Sequence, residues 1–396
     1  MIYMDYAAAS PALPEVFANT ELFYKEAYAN ASSVHAAALA SQEAIADARR
    51  KTAALIGAEP EEVYFTSGGT ESDNWALFGV FRQACAGAAA GGRCFRIITT
   101  AIEHEAVLNS AQALEAYGAS VEYLKPGESG RISSEQVSSA LSRAFSEGYR
   151  PEEILVSVMF ANNETGVLQP VQEIGMLTEK AGVLFHTDAV QAVGQVPVNV
   201  KAMHIDLLSA SAHKFGGPKG AGFLYVRKGV RIAPLLYGGG QEEGLRSGTY
   251  NTAGIAGLGI AAAHKKEQLA ELMEKTAALR DRLEKNLTEG LTGVTVNGTR
   301  AYRLPGHLNV SFDGVESSSL LLYLSAAGVM ASGGSACAAG RDEPSHVLTA
   351  MGLSAERVNG AVRFSIGEGT TEAEVGEASG IIRDSVKMLR EIRGTL

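Results

Sequence analysis

Cysteine is scarce in this chain, with Cys85, Cys94 and Cys337 the only three in 396 residues. An odd number in so long a chain argues against a scaffold built on disulfides and leaves any one thiol as a candidate nucleophile. A reducing, cytoplasmic setting is the expectation. Basic residues are also in deficit: 34 Lys and Arg against 44 Asp and Glu give a formal charge of −10. That balance argues against a sequence-independent grip on nucleic acid or on an anionic membrane surface, so a small anionic ligand must be held by local features. No stretch approaches the roughly 20 apolar residues needed to span a bilayer. The best candidate, residues 252–263, is too short and holds three glycines. The opening Met1-Ile2-Tyr3-Met4-Asp5-Tyr6 has no basic segment ahead of an apolar core, so no secretory signal is expected.

What remains has the composition of a soluble globular protein, 46% hydrophobic and 20% charged. The length exceeds what one core usually organises, which favours a large domain and a smaller one. Apolar segments of strand length recur at residues 62–66, 95–99, 154–160, 183–187, 206–209 and 222–226. Helical patterns at residues 41–56, 71–81, 105–117 and 171–181 alternate with them, which predicts a largely parallel sheet covered on both faces. Ligands of such sheets gather at the carboxyl ends of the strands. From about Ala253 the texture changes to a charged helical stretch reaching about Glu289, so a boundary is expected near residue 255. Beyond it, a strand at 307–312, a helix at 318–327 and a final helix from about Glu372 read as a smaller α+β unit. There is no internal repeat, and residues 84–92 form a short biased loop.

Three motifs carry chemistry. Ser67-Gly68-Gly69-Thr70-Glu71 follows a strand and opens a helix, so the amides of Gly69 and Thr70 and the Thr70 hydroxyl suit a phosphate at the helix's positive end. It is neither a Walker loop nor a dinucleotide fingerprint, and such turns are often mere connections. Asp188, in His186-Thr187-Asp188-Ala189-Val190-Gln191, ends a very apolar strand, where a carboxylate is costly unless it meets a cation or strong donors. Alone it reads somewhat better as a helix cap; the functional reading is the partner of a protonated pyridine nitrogen. Lys214, in Ser211-Ala212-His213-Lys214-Phe215-Gly216-Gly217, sits in a small-residue loop between two apolar strands, where a desolvated amine can form a Schiff base; alone it is more often a surface lysine. Together the three supply a phosphate cradle, an acid for a ring nitrogen and an amine for an aldehyde.

The chain resembles the cysteine desulfurases, a branch of the class V aminotransferases among the fold-type I pyridoxal-phosphate enzymes. The resemblance runs nearly end to end and includes Asn162-Asn163-Glu164-Thr165-Gly166, His213-Lys214, Gly238-Gly239-Gly240-Gln241-Glu242, Leu245-Arg246-Ser247-Gly248-Thr249 and Ser335-Ala336-Cys337. It implies a large domain over 15–255 with a mostly parallel seven-stranded sheet, and a small α+β domain from 1–14 and 256–396 that carries the cysteine loop. It further implies pyridoxal 5'-phosphate as cofactor, Lys214 as its covalent anchor, and Asp188 on its ring nitrogen. Gln191 and Asn163 would lie near its phenolic oxygen; Gly69, Thr70, Ser211 and His213 would hold its phosphate. His104 would stack on the ring and move protons, although a residue capping the next helix would look the same. Arg363, with help from Asn30, would take the carboxylate of L-cysteine, since a guanidinium fork fits a carboxylate. Thr249 would reach the phosphate of a neighbouring subunit, which makes a homodimer the expected unit. No metal is expected.

Cys337 lies in a run of small residues, Ala331 to Gly340, too glycine-rich for a good core. By the resemblance it would take the substrate's sulfur as a persulfide, leaving alanine, and hand it to an acceptor such as an iron-sulfur scaffold or a thiolation enzyme. Cys85 and Cys94 better suit the usual role of a small buried hydrophobe. The chain departs from the family at Asp5-Tyr6-Ala7-Ala8-Ala9, where a threonine-bearing segment is usual, at Ala31, where proline is common, and in the slack Ser332-Gly333-Gly334-Ser335. Three alternatives stay open: a selenocysteine lyase that shares the cofactor site, a class V aminotransferase that needs a keto acid, and a docking partner for a sulfur acceptor with catalysis secondary.

Overall fold

The computed structural model describes residues 1–86, 94–333 and 344–394. At its centre is a seven-stranded sheet in the order Val63–Thr66, Gly222–Val226, Leu207–Ser211, Leu184–Asp188, Ile154–Ser157, Phe95–Thr100, Ala119–Leu124. Every neighbouring pair is parallel except where Gly222–Val226 runs antiparallel to both of its neighbours. Side chains alternate between the two faces of a strand, and both faces here are dry. Leu155, Leu207 and Leu224 join one hydrophobic cluster with Trp75 and Phe95, whereas Val156, Leu208 and Phe223 join another with Phe185 and Phe215. This double burial is why these strands read as unbroken apolar runs.

The long helix Thr252–Gly290 begins against the sheet's cluster through Ile255, Leu258 and Ala261 and ends in a different one through Leu279, Leu283 and Leu287. The boundary expected near residue 255 therefore falls in its first turn. Along its first half it packs on helix Leu39–Ile56 with no side chain at Gly259, where a Cβ would lie 2.5 Å from the Cα of Ala48. The second cluster gathers around an antiparallel sheet of Ala361–Ser365, His307–Phe312 and Val294–Val296, backed by helices Ser317–Ala326 and Glu372–Arg393. Ile2–Tyr3 pairs in parallel with Val329–Met330, and Asp5 bridges to Ser365. The first residues of the chain are thus closed onto residues beyond 328.

Three sequence expectations need correction. The strand Ala119–Leu124 was not foreseen, because at the sheet edge its Ser120, Glu122 and Tyr123 break the apolar signal. The run 154–160 is a strand only to Ser157; Val158 and Phe160 still donate to the carbonyls of His186 and Asp188 as the chain leaves the sheet. Cys85 and Cys94, read as free buried thiols, form a disulfide with their Cα atoms 5.8 Å apart, because the end of helix Gly69–Ala84 and the start of strand Phe95–Thr100 lie side by side. Most of the biased loop 84–92 lies outside the described residues. None of the described helices is long and apolar enough to cross a membrane.

Gly259→Ala should lower stability by about 1–3 kcal/mol through overpacking against Ala48. Gly376→Ala, in a helix interior with nothing within 4 Å of the added methyl, should raise it by roughly 0.5–1 kcal/mol. Urea unfolding of the two variants beside the parent chain reads both signs.

Candidate active site

The carboxyl ends of the parallel strands open into a cavity of about 170 Å³ lined by Gly69, Thr70, His104, Asn163, Asp188, Gln191, Ser211, His213, Lys214 and Arg363, with Ala7, Ala8 and Asp73 beside them. All ten of the first group were singled out from sequence. Asn30 and Thr249 stand outside it: Asn30 is exposed and its Oδ1 accepts from the Ser32 amide, and Thr249 is exposed in a separate depression near Arg246. Cys337 lies outside the described residues. A roomier cavity of about 360 Å³ opens at the amino ends of the strands, where Asp206 pairs with Arg227, Glu179 with His204, and Lys201 with Glu59 outside the lining.

One end of the site is shaped for an anion. Helix Gly69–Ala84 points its free amides into the cavity, and a Cβ on Gly69 would come within 2.5 Å of Val190 Cγ2, so only glycine lets the backbone in there. Ser211 is buried beside it, and the buried Nδ1 of His213 has no hydrogen-bond partner. Burial, then the nearby charges of Lys214 and Lys219, push the His213 pKa down to about 4, so its ring is neutral at pH 7.

The other end concentrates carboxyl groups. Asp188 Oδ1 accepts from the Val190 amide at 2.9 Å, so it does cap the following turn, yet it also faces the cavity. Asp73 lies behind it, and ligand atoms of Asp73, His104 and Asp188 fall within 4.8 Å of one another. Both carboxyls are pushed upward by burial; Asp188 raises Asp73 further, while His104, the Val190 amide and Lys214 draw Asp188 back down. Asp73 Oδ1 is buried without a hydrogen-bond partner. Under them His186, buried between Ser157 at 2.8 Å and Ser209 at 3.0 Å, is pushed down to about 3 and supplies no charge. This excess of acid suits a cationic group beside Asp188.

Lys214 Nζ donates to the carbonyls of Ala7 at 2.6 Å and Ala8 at 2.9 Å, and Gln191 Nε2 donates to Ala7 O at 2.9 Å. His104 Nδ1 accepts from the Ala106 amide at 3.1 Å, so the capping role and the cavity position hold together. That bond uses Nδ1 as an acceptor and leaves Nε2 turned to other partners. Asn163 presents a buried Oδ1 without a partner. The orphaned atoms of Asn163 and His213, the glycine-walled helix end and the amine are chemically suited to pyridoxal phosphate.

The sequence profile of the class-V aminotransferases matches residues 2–377. Cysteine desulfurase IscS of Clostridium botulinum is 44% identical over 393 residues, covering 99% of this chain and 96% of that protein. The chain belongs to the cysteine desulfurases. Among solved structures, a NifS-like protein superposes on this desulfurase with a TM-score of 0.87 at 35% identity, covering 98% of this chain and 99% of that one. SspA in complex with cysteine superposes with a TM-score of 0.79 at 36% identity, covering 93% and 99%. The desulfurase thus has the α/β architecture of the fold-type I enzymes, as expected.

Sequence reasoning passed over Asp5, Asp73 and Glu103. Each is a carboxylate beside an apolar run, and that signal was used only for Asp188. Glu103 is fully buried; its Oε1 accepts from Thr100 Oγ1 at 2.7 Å and the Met159 amide at 2.9 Å, and Oε2 has no partner. Burial raises its pKa to about 8. A carboxyl whose folded pKa is raised contributes stability that is complete below its unfolded value, about 4.3, and is lost as pH climbs through about 8. Glu103→Gln should therefore flatten the decline in stability between roughly pH 4.5 and 8. Urea midpoints across that range, parent minus variant, should show the difference; parallel curves would refute the buried proton.

Proposed function

We propose that the enzyme uses pyridoxal 5'-phosphate to convert L-cysteine to L-alanine, with Lys214 as the anchoring amine and Cys337 as the sulfur acceptor. The observation that carries this reading is the convergence, in one cavity, of an anion cradle, a buried acid and a lysine amine. When bound, the cofactor supplies the electron sink for the α-carbon of the amino acid.

The chain's own groups divide the remaining work. Gly69, Thr70, Ser211 and neutral His213 hold the phosphate by hydrogen bonds and helix polarity. Asp188 would keep a proton on the ring nitrogen, and Gln191 and Asn163 would hydrogen-bond the phenolic oxygen. Lys214 Nζ, held by two carbonyls, would supply the amine that anchors the cofactor's aldehyde and would move the α-proton of the bound amino acid. His104 covers the ring face. Arg363 takes the α-carboxylate, with Asn30 as a further contact. The Cys337 thiolate attacks the substrate sulfur: an S–S bond forms, the C–S bond breaks with its electron pair left on the β-carbon, and protons delivered to that carbon and to the α-carbon give alanine.

Support for Cys337 comes from the described residues that flank its segment. On one side Ser332 pairs through its backbone with Arg363; on the other, Ser345 Oγ donates to Glu164 Oε2 at 2.6 Å and His346 Nε2 meets the Glu103 carbonyl at 2.9 Å. Both ends are therefore tied to residues adjoining Arg363, Asn163 and His104. Transfer to an iron-sulfur scaffold, a homodimer in which Thr249 reaches the neighbouring phosphate, a division into 15–255 and 1–14 with 256–396, and a cytoplasmic setting belong to the same reading.

Lys214→Ala should lose the visible absorbance of the cofactor-loaded protein and lower turnover by roughly a thousandfold or more. Cys337→Ala should still perturb that absorbance on adding cysteine but make no alanine from it. After cysteine treatment, mass spectrometry should find the extra sulfur on the Cys337 peptide of the parent enzyme. Sulfur found elsewhere, or normal alanine production by Cys337→Ala, refutes the assignment.

A further inference from the structure

Arg363 is 1% exposed, and its charge is already met from within the chain. Nη2 donates to Asp5 Oδ1 at 2.7 Å and Nη1 to the Asn163 carbonyl at 2.9 Å. The second oxygen of Asp5 accepts from Ser332 Oγ at 2.9 Å, and the backbones of Ser332 and Arg363 pair in both directions. Asp5 is itself bridged to Ser365, so its carboxylate is fixed at both oxygens and along its main chain. This is a built contact in a strand frame, unlike an ion pair between two free surface side chains. It holds a carboxylate against the guanidinium that receives a carboxylate from the substrate.

We propose that Asp5 is an internal competitor that occupies Arg363 in the resting enzyme and thereby sets its affinity and selectivity for the substrate's carboxylate. This rests on the assignment of that carboxylate to Arg363. A desolvated guanidinium with no anion beside it would grip any carboxylate strongly. Cysteine and alanine carry the same carboxylate, so such a grip would hold product as firmly as substrate without favouring C–S cleavage. Asp5 offsets it by exchange. The incoming carboxylate takes a share of the fork while Asp5 keeps its bond to Ser332, and the ion pair closes again as alanine leaves. The Asp5 side chain is 17% exposed, so it retains water when it yields Nη2. A ligand with a second carboxylate meets the Asp5 charge, and the site selects monocarboxylates.

Asp5→Asn keeps the shape and the acceptor for Ser332 but removes the charge. Calorimetric titration of the cofactor-loaded enzyme uses two probes: 3-mercaptopropionate, a thiol with one carboxylate and no amine, and cysteamine, a thiol with an amine and no carboxylate. Asp5→Asn should bind 3-mercaptopropionate roughly three- to tenfold more tightly and cysteamine as the parent does. Mercaptosuccinate, with two carboxylates, should gain more than 3-mercaptopropionate. KM for cysteine should fall by a larger factor than kcat, and Asp5→Glu should return the weaker binding. Unchanged or weaker binding of 3-mercaptopropionate, or an equal gain for cysteamine, overturns the proposal. Asp5→Ser serves as a second uncharged variant should Asp5→Asn not fold. Arg363→Lys separates the two layers: if it leaves 3-mercaptopropionate binding intact, the carboxylate assignment itself fails; if it weakens binding while Asp5→Asn fails to tighten it, only the role of Asp5 falls.

Discussion

Everything in this molecule is arranged around the cost of keeping carboxylic acids dry at the carboxyl edge of a parallel sheet. Asp188 and Asp73 are almost wholly buried, and Glu103 lies nearby with one oxygen unmatched. In a low-dielectric surrounding such groups destabilise the fold unless a proton or a cation meets them. The free chain meets the cost with protons, with the Val190 amide and with Lys214. Under the proposed function a protonated ring nitrogen would complement this edge, so the groups that burden the fold would also select the ligand. Removing Asp188 would be expected to relieve strain and to weaken chemistry together.

Much of this was legible in the sequence where the physics is local. Buried parallel strands advertise themselves as apolar runs, which is why Gly222–Val226 and His307–Phe312 were read to the residue, and why Asp188 stood out as a charge at the end of one. Lys214 and Gly69 stood out because each follows the carboxyl end of a strand, Leu207–Ser211 and Val63–Thr66, where ligands of such sheets gather. The edge strand Ala119–Leu124 was not, since one solvated side dilutes its pattern with Ser120 and Glu122. The Cys85–Cys94 disulfide was missed because proximity across a turn between helix and strand is a matter of packing, which composition does not encode. Asp5 was quoted only as a departure from a family pattern; its pairing with Arg363 spans 358 positions, beyond the reach of any local rule.

That pairing belongs to a larger closure. Residues 2–9 bond to Val329, Met330 and Ser365, and their carbonyls receive Lys214 and Gln191. The chain's beginning is therefore the seam between the sheet that carries the cofactor motifs and the sheet that carries Arg363. Contacts of such sequence separation form late, since loop-closure entropy must first be met. The site is completed only after both sheets exist.

The helix Thr252–Gly290 runs 39 residues, about 58 Å at 1.5 Å per residue. It contributes Leu258 to the core behind the cofactor motifs and Leu283 to the core behind Arg363, and Lys265 on its flank holds Glu368 at 2.7 Å. A rod shared in this way works as a splint. Melting either core would fray a helix that the other needs, so the two halves should resist denaturant as one cooperative body, and a protease that nicks the middle of the rod should disable both at a stroke.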